Sequence, residues 1–296
     1  MTKIRTIQSD KVKIDFVPDC GGSISALKFF NGQEWVDIFR QAESGCVEDS
    51  NPLDASCFPL FPFSNRIAYG AFSFEDNNYQ LPLNMPPEPH AIHGSVWQKT
   101  ALVTDYSTDY LKIIHQQVDE SYPFHFSAVQ EWRINDDTSI NISLKLINMG
   151  DCAMPFGMGI HPYFVKTDQC TITTNTDIVI QNDDEMVPIS VTSVPDEWDF
   201  SKGLKVCDTT MDNCYLNWSK QCRIQWPELN AQMDITASDL FKNMVVYIPQ
   251  DESFFCLEPV TNINDAYNNN LELNDTGLVI LQPGEKIEGT IELMLS

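Results

Sequence analysis

The sequence predicts an all-β fold built as a sandwich. Apolar and polar residues alternate at period two in several segments, and turn-forming residues recur between short apolar runs along the whole chain. No amphipathic helix longer than about three turns can be drawn. Alternating strand–helix units are thereby excluded. No linker, low-complexity tract or internal repeat breaks the pattern, so residues 1–296 are expected to form one domain.

Val12, Ile14 and Phe16 alternate with Lys11, Lys13 and Asp15, which reads as a strand with one buried face. Cys20-Gly21-Gly22-Ser23 and Asn31-Gly32 supply the first turns. The stretch from Phe58 to Ile67, rich in Pro and Phe, is too stiff and apolar for a plain surface loop. Arg66 near its end must leave the core or find partners, and its fork suits two hydroxyls or a carboxylate. Met85-Pro86-Pro87-Glu88-Pro89 predicts an irregular loop leading to His90 and His93. Leu111 to His115 reads as an ordinary strand; His115 and His125 are taken as structural.

A turn at Asn135-Asp136-Asp137 precedes alternating Ile140, Ile142, Leu144 and Leu146, and Met149-Gly150-Asp151 turns the chain again. Phe156 to Phe164 is a glycine-punctuated strand that delivers His161 at its end, where Pro162 is expected to stop pairing. Asp183-Asp184-Glu185 and Pro195-Asp196-Glu197 read as acidic surface loops. Asp212 sits among small and aromatic residues, where a turn role is the simplest reading. Asp239 to Lys242 is expected as a single helical turn. Met244 to Ile248 and Phe254 to Val260 read as short buried strands. After the Gln282-Pro283-Gly284 turn, Ile287, Ile291, Leu293 and Leu295 alternate to the end, with Gly289 in register.

Eighteen Lys and Arg against 42 Asp and Glu give a formal charge of −24. Such a surface repels phosphate backbones and anionic membranes, which argues against nucleic-acid and membrane partners. Arg5, Arg40, Arg66, Arg133 and Arg223 are the only arginines, which weakens any phosphorylated substrate. The nine cysteines are odd in number and contain no Cys-x-x-Cys pair. Free thiols in a reducing cytoplasm are therefore expected, not a disulfide framework or zinc ribbon. Met1 to Asp10 holds no apolar h-region, and no stretch approaches the roughly 20 apolar residues of a membrane span. Oligomeric state is not legible.

Glu258 carries the most chemical information. It is a lone carboxylate inside an apolar run, where burial is costly without a partner and raises its pKa toward that of a useful base. The plainer reading is a strand-end Glu reaching solvent. His161 is either a proton-transfer group or a satisfied core histidine beside Tyr163. His90 and His93 have the spacing of a metal pair, but no further ligand cluster is near in sequence, so no metal is expected. A Gly-rich phosphate loop, a Gly-x-Ser-x-Gly elbow and His-Glu-x-x-His are all absent, which leaves nucleotide cofactors unsupported.

Taken in order, several motifs resemble the aldose 1-epimerase family, also called galactose mutarotases. They are Asn65-Arg66-Ile67 with Gly70 and Phe72; Tyr79-Gln80-Leu81 with Asn84; His93-Gly94 with Trp97; Gly159 to Phe164; Met211 to Tyr215; and Val245-Val246-Tyr247 through Glu258-Pro259 to Asp265-Ala266 and Asn268. The resemblance implies a β-supersandwich, a sugar in an open cleft and no cofactor. It implies Glu258 as catalytic base and His161 as catalytic acid, with Arg66, His93 and Asp212 binding the sugar. The expected reaction is exchange of α and β anomers of a free hexose such as galactose or glucose. The Glu258-Pro259-Val260-Thr261 context departs from the galactose enzymes, which leaves the sugar open. Three other readings remain: a hexose-6-phosphate mutarotase, a glycoside hydrolase using Glu258 and Asp212, and a non-catalytic carbohydrate-binding module stacking sugar on aromatics such as Trp97.

Overall fold

A computed structural model of the chain describes residues 4–119 and 122–296. Met1 to Lys3, part of the Met1 to Asp10 stretch read above as holding no apolar h-region, lie outside the described residues. Two large antiparallel sheets dominate. The eleven-stranded sheet runs Arg5–Gln8, Val12–Val17, Ser23–Phe30, Cys57–Leu60, Gly159–Val165, Phe254–Val260, Asn243–Ile248, Met211–Leu216, Ile178–Asn182, Pro188–Ser193, with Trp35–Asp37 paired to Ser23–Phe30. The nine-stranded sheet runs Leu102–Tyr106, Tyr110–Gln117, Phe126–Ile134, Ser139–Asn148, Lys286–Leu295, Ala231–Ala237, Gln221–Trp226, Thr171–Thr174, Leu204–Lys205. The α-helix among the described residues, Ser44–Glu48, is five residues long. The two large antiparallel sheets give the all-β sandwich that the alternation predicted.

Period-two alternation places one face of each strand in the core between the sheets. Ile14 and Phe16 from one sheet and Ile140, Ile142 and Leu144 from the other belong to the same buried cluster. Phe16 meets Trp132 edge to face across the interface, with centroids 5.6 Å apart. Gly289 is required for this packing, because a Cβ there would lie 2.7 Å from the Phe241 ring. The Asp239 to Lys242 segment is a turn and not the expected helical turn: Phe241 N–H donates to Ser238 O at 3.0 Å while its ring is drawn into the core over Gly289.

The central strands of the larger sheet are covered on both faces. In Phe254–Val260 every residue is buried. Phe255 and Leu257 point into the core between the sheets, whereas Cys256 and Val260 join a second cluster with Phe58, Ile92, Trp97, Ile263 and Ala266. Loops from the 58–97 and 261–278 regions lie over that second face. This explains why Phe254 to Val260 reads as a continuous apolar run and not as an alternating one. It also gives one face of an otherwise ordinary sheet a roofed cleft.

Candidate active site

Sheet register places the two expected proton-transfer groups together. Gly159 pairs with Val260 and Tyr163 with Cys256, so His161 falls directly opposite Glu258 and both project from the roofed face. The ladder opens between those pairs, where Pro162 and Pro259 have no N–H to donate. Pro162 therefore interrupts pairing on one side only: the strand continues to Val165, and Pro162 still pairs with Cys57 on the other side. His161 Nε2 stands 3.3 Å from Glu258 Oε1. Glu258 does not reach solvent; it is 2% exposed.

Two rings pack round the imidazole of His161, side by side, with their own centroids 6.1 Å apart. Phe58, its register partner on Cys57–Leu60, stacks at 4.6 Å and 28°, and Tyr163, two residues on along the same strand, at 4.7 Å and 26°. His93 meets it edge-on at 5.1 Å and 90°. The short ladder of Arg66–Ile67 with Ala91–Ile92 brings Arg66 beside His93, whose N–H donates to Asn65 O at 2.9 Å. His93 has φ +61, and Gly94 follows at φ +80 with Phe61 O 1.8 Å from where a Cβ would lie. Only glycine fits there, which accounts for the His93-Gly94 pair.

Arg66 finds the carboxylate its fork suits. Its Nη2 and Nε lie 3.3 and 3.4 Å from Glu88 Oε2, and Nη1 donates to Asn65 Oδ1 at 3.2 Å. Asn264 accepts from the Arg66 N–H, and Asp265 from the Ala68 N–H, so the Asp265 motif shapes the Arg66 segment from outside the cleft. Asp212 lies in the strand Met211–Leu216 opposite Tyr247, and not in a turn. That row continues through Cys256 to Tyr163, so Asp212 shares the face that carries Glu258.

All five expected residues line one cleft: Glu258, His161, Arg66, His93 and Asp212, in a cavity of about 360 Å³. Burial dominates its electrostatics. It raises the Glu258 carboxyl well above the ordinary range; Asp212 adds to the shift and Arg66 opposes it. Burial raises Asp212 too, with Arg66 opposing and Glu88 reinforcing. It lowers His161 to about 3, with help from Arg40. His93 falls well below its usual value through burial, then through His161 and Arg66. Nδ1 of both histidines is buried without a partner among the described residues, at a cost of about 1–3 kcal/mol each.

The remaining histidines lie elsewhere. His90 Nδ1 accepts from Tyr69 N–H at 2.9 Å and Nε2 meets Glu185 O at 2.9 Å, which leaves it no role as the second ligand beside His93. His115 is buried in Tyr110–Gln117 against Gln130, and His125 is exposed. Among the described residues no group of three His, Cys, Asp or Glu side chains is placed to hold a metal ion.

Several cleft residues were not singled out from the sequence: Arg40, Asn65, Tyr247, Phe254 and, behind Arg66, Glu88. Tyr247 and Phe254 read as ordinary strand residues, and only the register shows which face they occupy. Arg40 had one signal, its membership in a set of five arginines in a chain of charge −24.

A buried carboxylate and imidazole in contact, flanked by an arginine and a second carboxylate, thus line one cleft on a two-sheet β-sandwich. The chain belongs to the aldose 1-epimerase family, whose profile matches residues 4–294. It is 26% identical over 298 residues to the uncharacterized protein YphB of Escherichia coli K12, covering 98% of each chain. In structure it resembles a candidate aldose 1-epimerase of Escherichia coli K12, with TM-score 0.89, 23% identity, and 100% and 99% of the two chains covered. A galactose mutarotase-like protein of Clostridium acetobutylicum superposes with TM-score 0.87, 19% identity, and 100% and 98% coverage. No described helix is long and apolar enough to cross a membrane.

Proposed function

We propose that the protein exchanges the α and β anomers of a free hexose such as galactose or glucose. The single observation that carries this is the Glu258–His161 contact at 3.3 Å inside a cleft large enough for a sugar ring. A carbohydrate-binding module has no use for a desolvated acid–base pair. A glycoside hydrolase would pair two carboxylates across a glycosidic bond, leaving His161 without a task.

Anomer exchange needs one proton taken from the C1 hydroxyl and one given to the ring oxygen. The ring opens to an aldehyde, C1 turns about its bond to C2, and reclosure reverses both transfers. Glu258 serves as base and His161 as acid in the opening step, and they trade roles in closing. Burial disfavours both charged forms, raising the Glu258 carboxyl and lowering the His161 imidazole, so a proton shared by the pair is drawn toward Glu258. Transfer across the contact to His161 generates the working carboxylate and imidazolium. The ring faces of Phe58 and Tyr163 support that imidazolium. Arg66, His93 and Asp212 hold the sugar hydroxyls and fix C1 between the two groups. The deciding experiment is exchange NMR on the pure protein with free hexoses and pentoses. Absence of anomer exchange above the uncatalysed rate for every sugar would refute the reading, and cleavage of a glycoside would replace it.

Two expectations follow from the cleft. Its cations are already engaged: Arg66 by Glu88 and Asn65, Arg40 by the carbonyls of Leu53 and Ala55. Carboxylates Glu258, Asp212 and Glu88 stand nearby. A neutral aldose is therefore expected to be preferred over its 6-phosphate by about 10-fold or more in kcat/KM. Comparing glucose, galactose and glucose 6-phosphate checks this, and a strong preference for the phosphate would overturn it. The proton transfers proposed here run through side chains alone, so activity is expected to survive exhaustive chelation. Loss of activity restored by one added divalent ion would show otherwise.

A further inference from the structure

We propose that Arg40 is a positioning residue for the proton-transfer imidazole, acting through Tyr163. Arg40 packs on Tyr163 and Tyr163 on His161, while Phe58, backed by Trp97, packs on the imidazole from another side. The guanidinium carbon lies 3.7 Å from the Tyr163 ring centroid. Tyr163 to His161 is 4.7 Å at 26°, His161 to Phe58 is 4.6 Å at 28°, and Phe58 to Trp97 is 5.1 Å at 28°. Phe58 and Tyr163 also meet each other at 6.1 Å and 52°, so the two rings wrap round the imidazole, and Tyr163 is the one through which Arg40 bears on it. Its free edge is the one that carries Nε2 to Glu258.

Trp97 backs Phe58 from inside the second core cluster. Arg40 backs Tyr163 at the cleft, and it is fixed there. Nε and Nη2 donate to Ala55 O at 3.1 and 2.9 Å, Nη2 also donates to Leu53 O, and the backbone N–H donates to Tyr163 O at 2.7 Å. The Phe254 ring centroid lies 4.6 Å away on another side. Holding two carbonyls requires only a donor. Packing the guanidinium carbon 3.7 Å from a ring centroid while doing so suits the planar fork of arginine.

The same contacts also set the charge balance around His161. The groups round it are Glu258 and, two residues earlier on the same face, Cys256, both from Phe254–Val260, with Tyr163 on its own strand, His93 from the loop after Ile92, and Arg40. Arg66 and Asp212 lie further round the cleft. Of these, Arg40 is the fixed positive charge that disfavours a second one on the imidazole. Its removal should raise the proton affinity of His161; Arg40→Lys should not.

This inference rests on the anomer-exchange reading for its kinetic arm only. The experiment measures kcat, KM and pH profile for Arg40→Met, Arg40→Lys, Tyr163→Leu and the Met/Leu double variant, with NMR titration of the His161 imidazole in each. Arg40→Met is expected to lower kcat about 10- to 100-fold with KM changed less than about 3-fold, and to move the His161 titration upward. Arg40→Lys should restore the titration and only part of the rate. In the Tyr163→Leu background, Arg40→Met should add less than about 2-fold, because the intermediary is gone. An unchanged kcat, a loss confined to KM, or full additivity with Tyr163→Leu would each overturn the proposal. If Arg40→Met does not fold, Arg40→Lys and its double variant with Tyr163→Leu carry the same comparison. If the wild-type protein exchanges no anomers, the proposed function fails, and the NMR titration still decides whether Arg40 governs His161.

Discussion

Glu258→Gln is expected to remove most anomer exchange, by about 10²- to 10⁴-fold in kcat, while the protein remains folded. Gln keeps the shape of the side chain and its place in the ladder opposite His161, but it cannot accept the C1 proton. Folding should survive because burial already favours the neutral form of Glu258, and Gln is neutral. The usual penalty for deleting one member of a buried ion pair, about 3–5 kcal/mol, should therefore not appear. Thermal unfolding at neutral pH is expected to be equal to wild type or slightly improved. Sugar KM should change little, since Arg66, His93 and Asp212 keep their positions. A folded variant with near wild-type turnover under chemistry-limited conditions would end the assignment of Glu258 as base.

The fold was legible because its signals are local. Ile140 to Leu146 and Ile287 to Leu295 alternate as strands with one covered face must, and the structure pairs those segments directly. The site was legible for a different reason. A carboxylate in an apolar run, a histidine after punctuating glycines, and an arginine after a stiff approach are each locally anomalous. What no local pattern carries is register. Nothing in Phe254 to Val260 indicates that Glu258 will face His161, or that Pro162 and Pro259 fall where the ladder opens between them. Asp212 looked like a turn residue because its neighbours are small, yet its strand pairing puts it on the cleft face. Arg40 was passed over because its contacts, Tyr163 and Phe254, are separated from it by more than a hundred residues in sequence. The single helical turn read at Asp239 to Lys242 likewise took no account of a distant contact, the Phe241 ring packed over Gly289 on a different strand.

The rate is expected to follow a bell-shaped pH profile with a broad top across neutrality. The active pair holds one proton. The acid limb is addition of a second proton, and burial has lowered His161 to about 3, so this limb should lie far below the ordinary imidazole range. The alkaline limb is loss of the remaining proton, and burial has raised Glu258 well above the usual carboxylate range, so that limb is displaced upward. Both shifts widen the window in which exactly one proton is held. The apparent values belong to the coupled pair and not to either residue. His161→Asn should then remove the alkaline limb together with most of the rate, because ionised Glu258 alone can still accept a proton while nothing delivers one to the ring oxygen. The residual activity should rise with Glu258 ionisation and stay level above it. His93→Asn should act differently: its ring meets His161 only edge-on, so sugar KM should rise and the profile should keep both limbs. Steady-state anomer exchange from low to high pH on the three proteins checks this. If His93→Asn loses the alkaline limb while His161→Asn keeps it, the acid is His93, and ring opening must be redrawn with the proton coming from the loop beside Gly94.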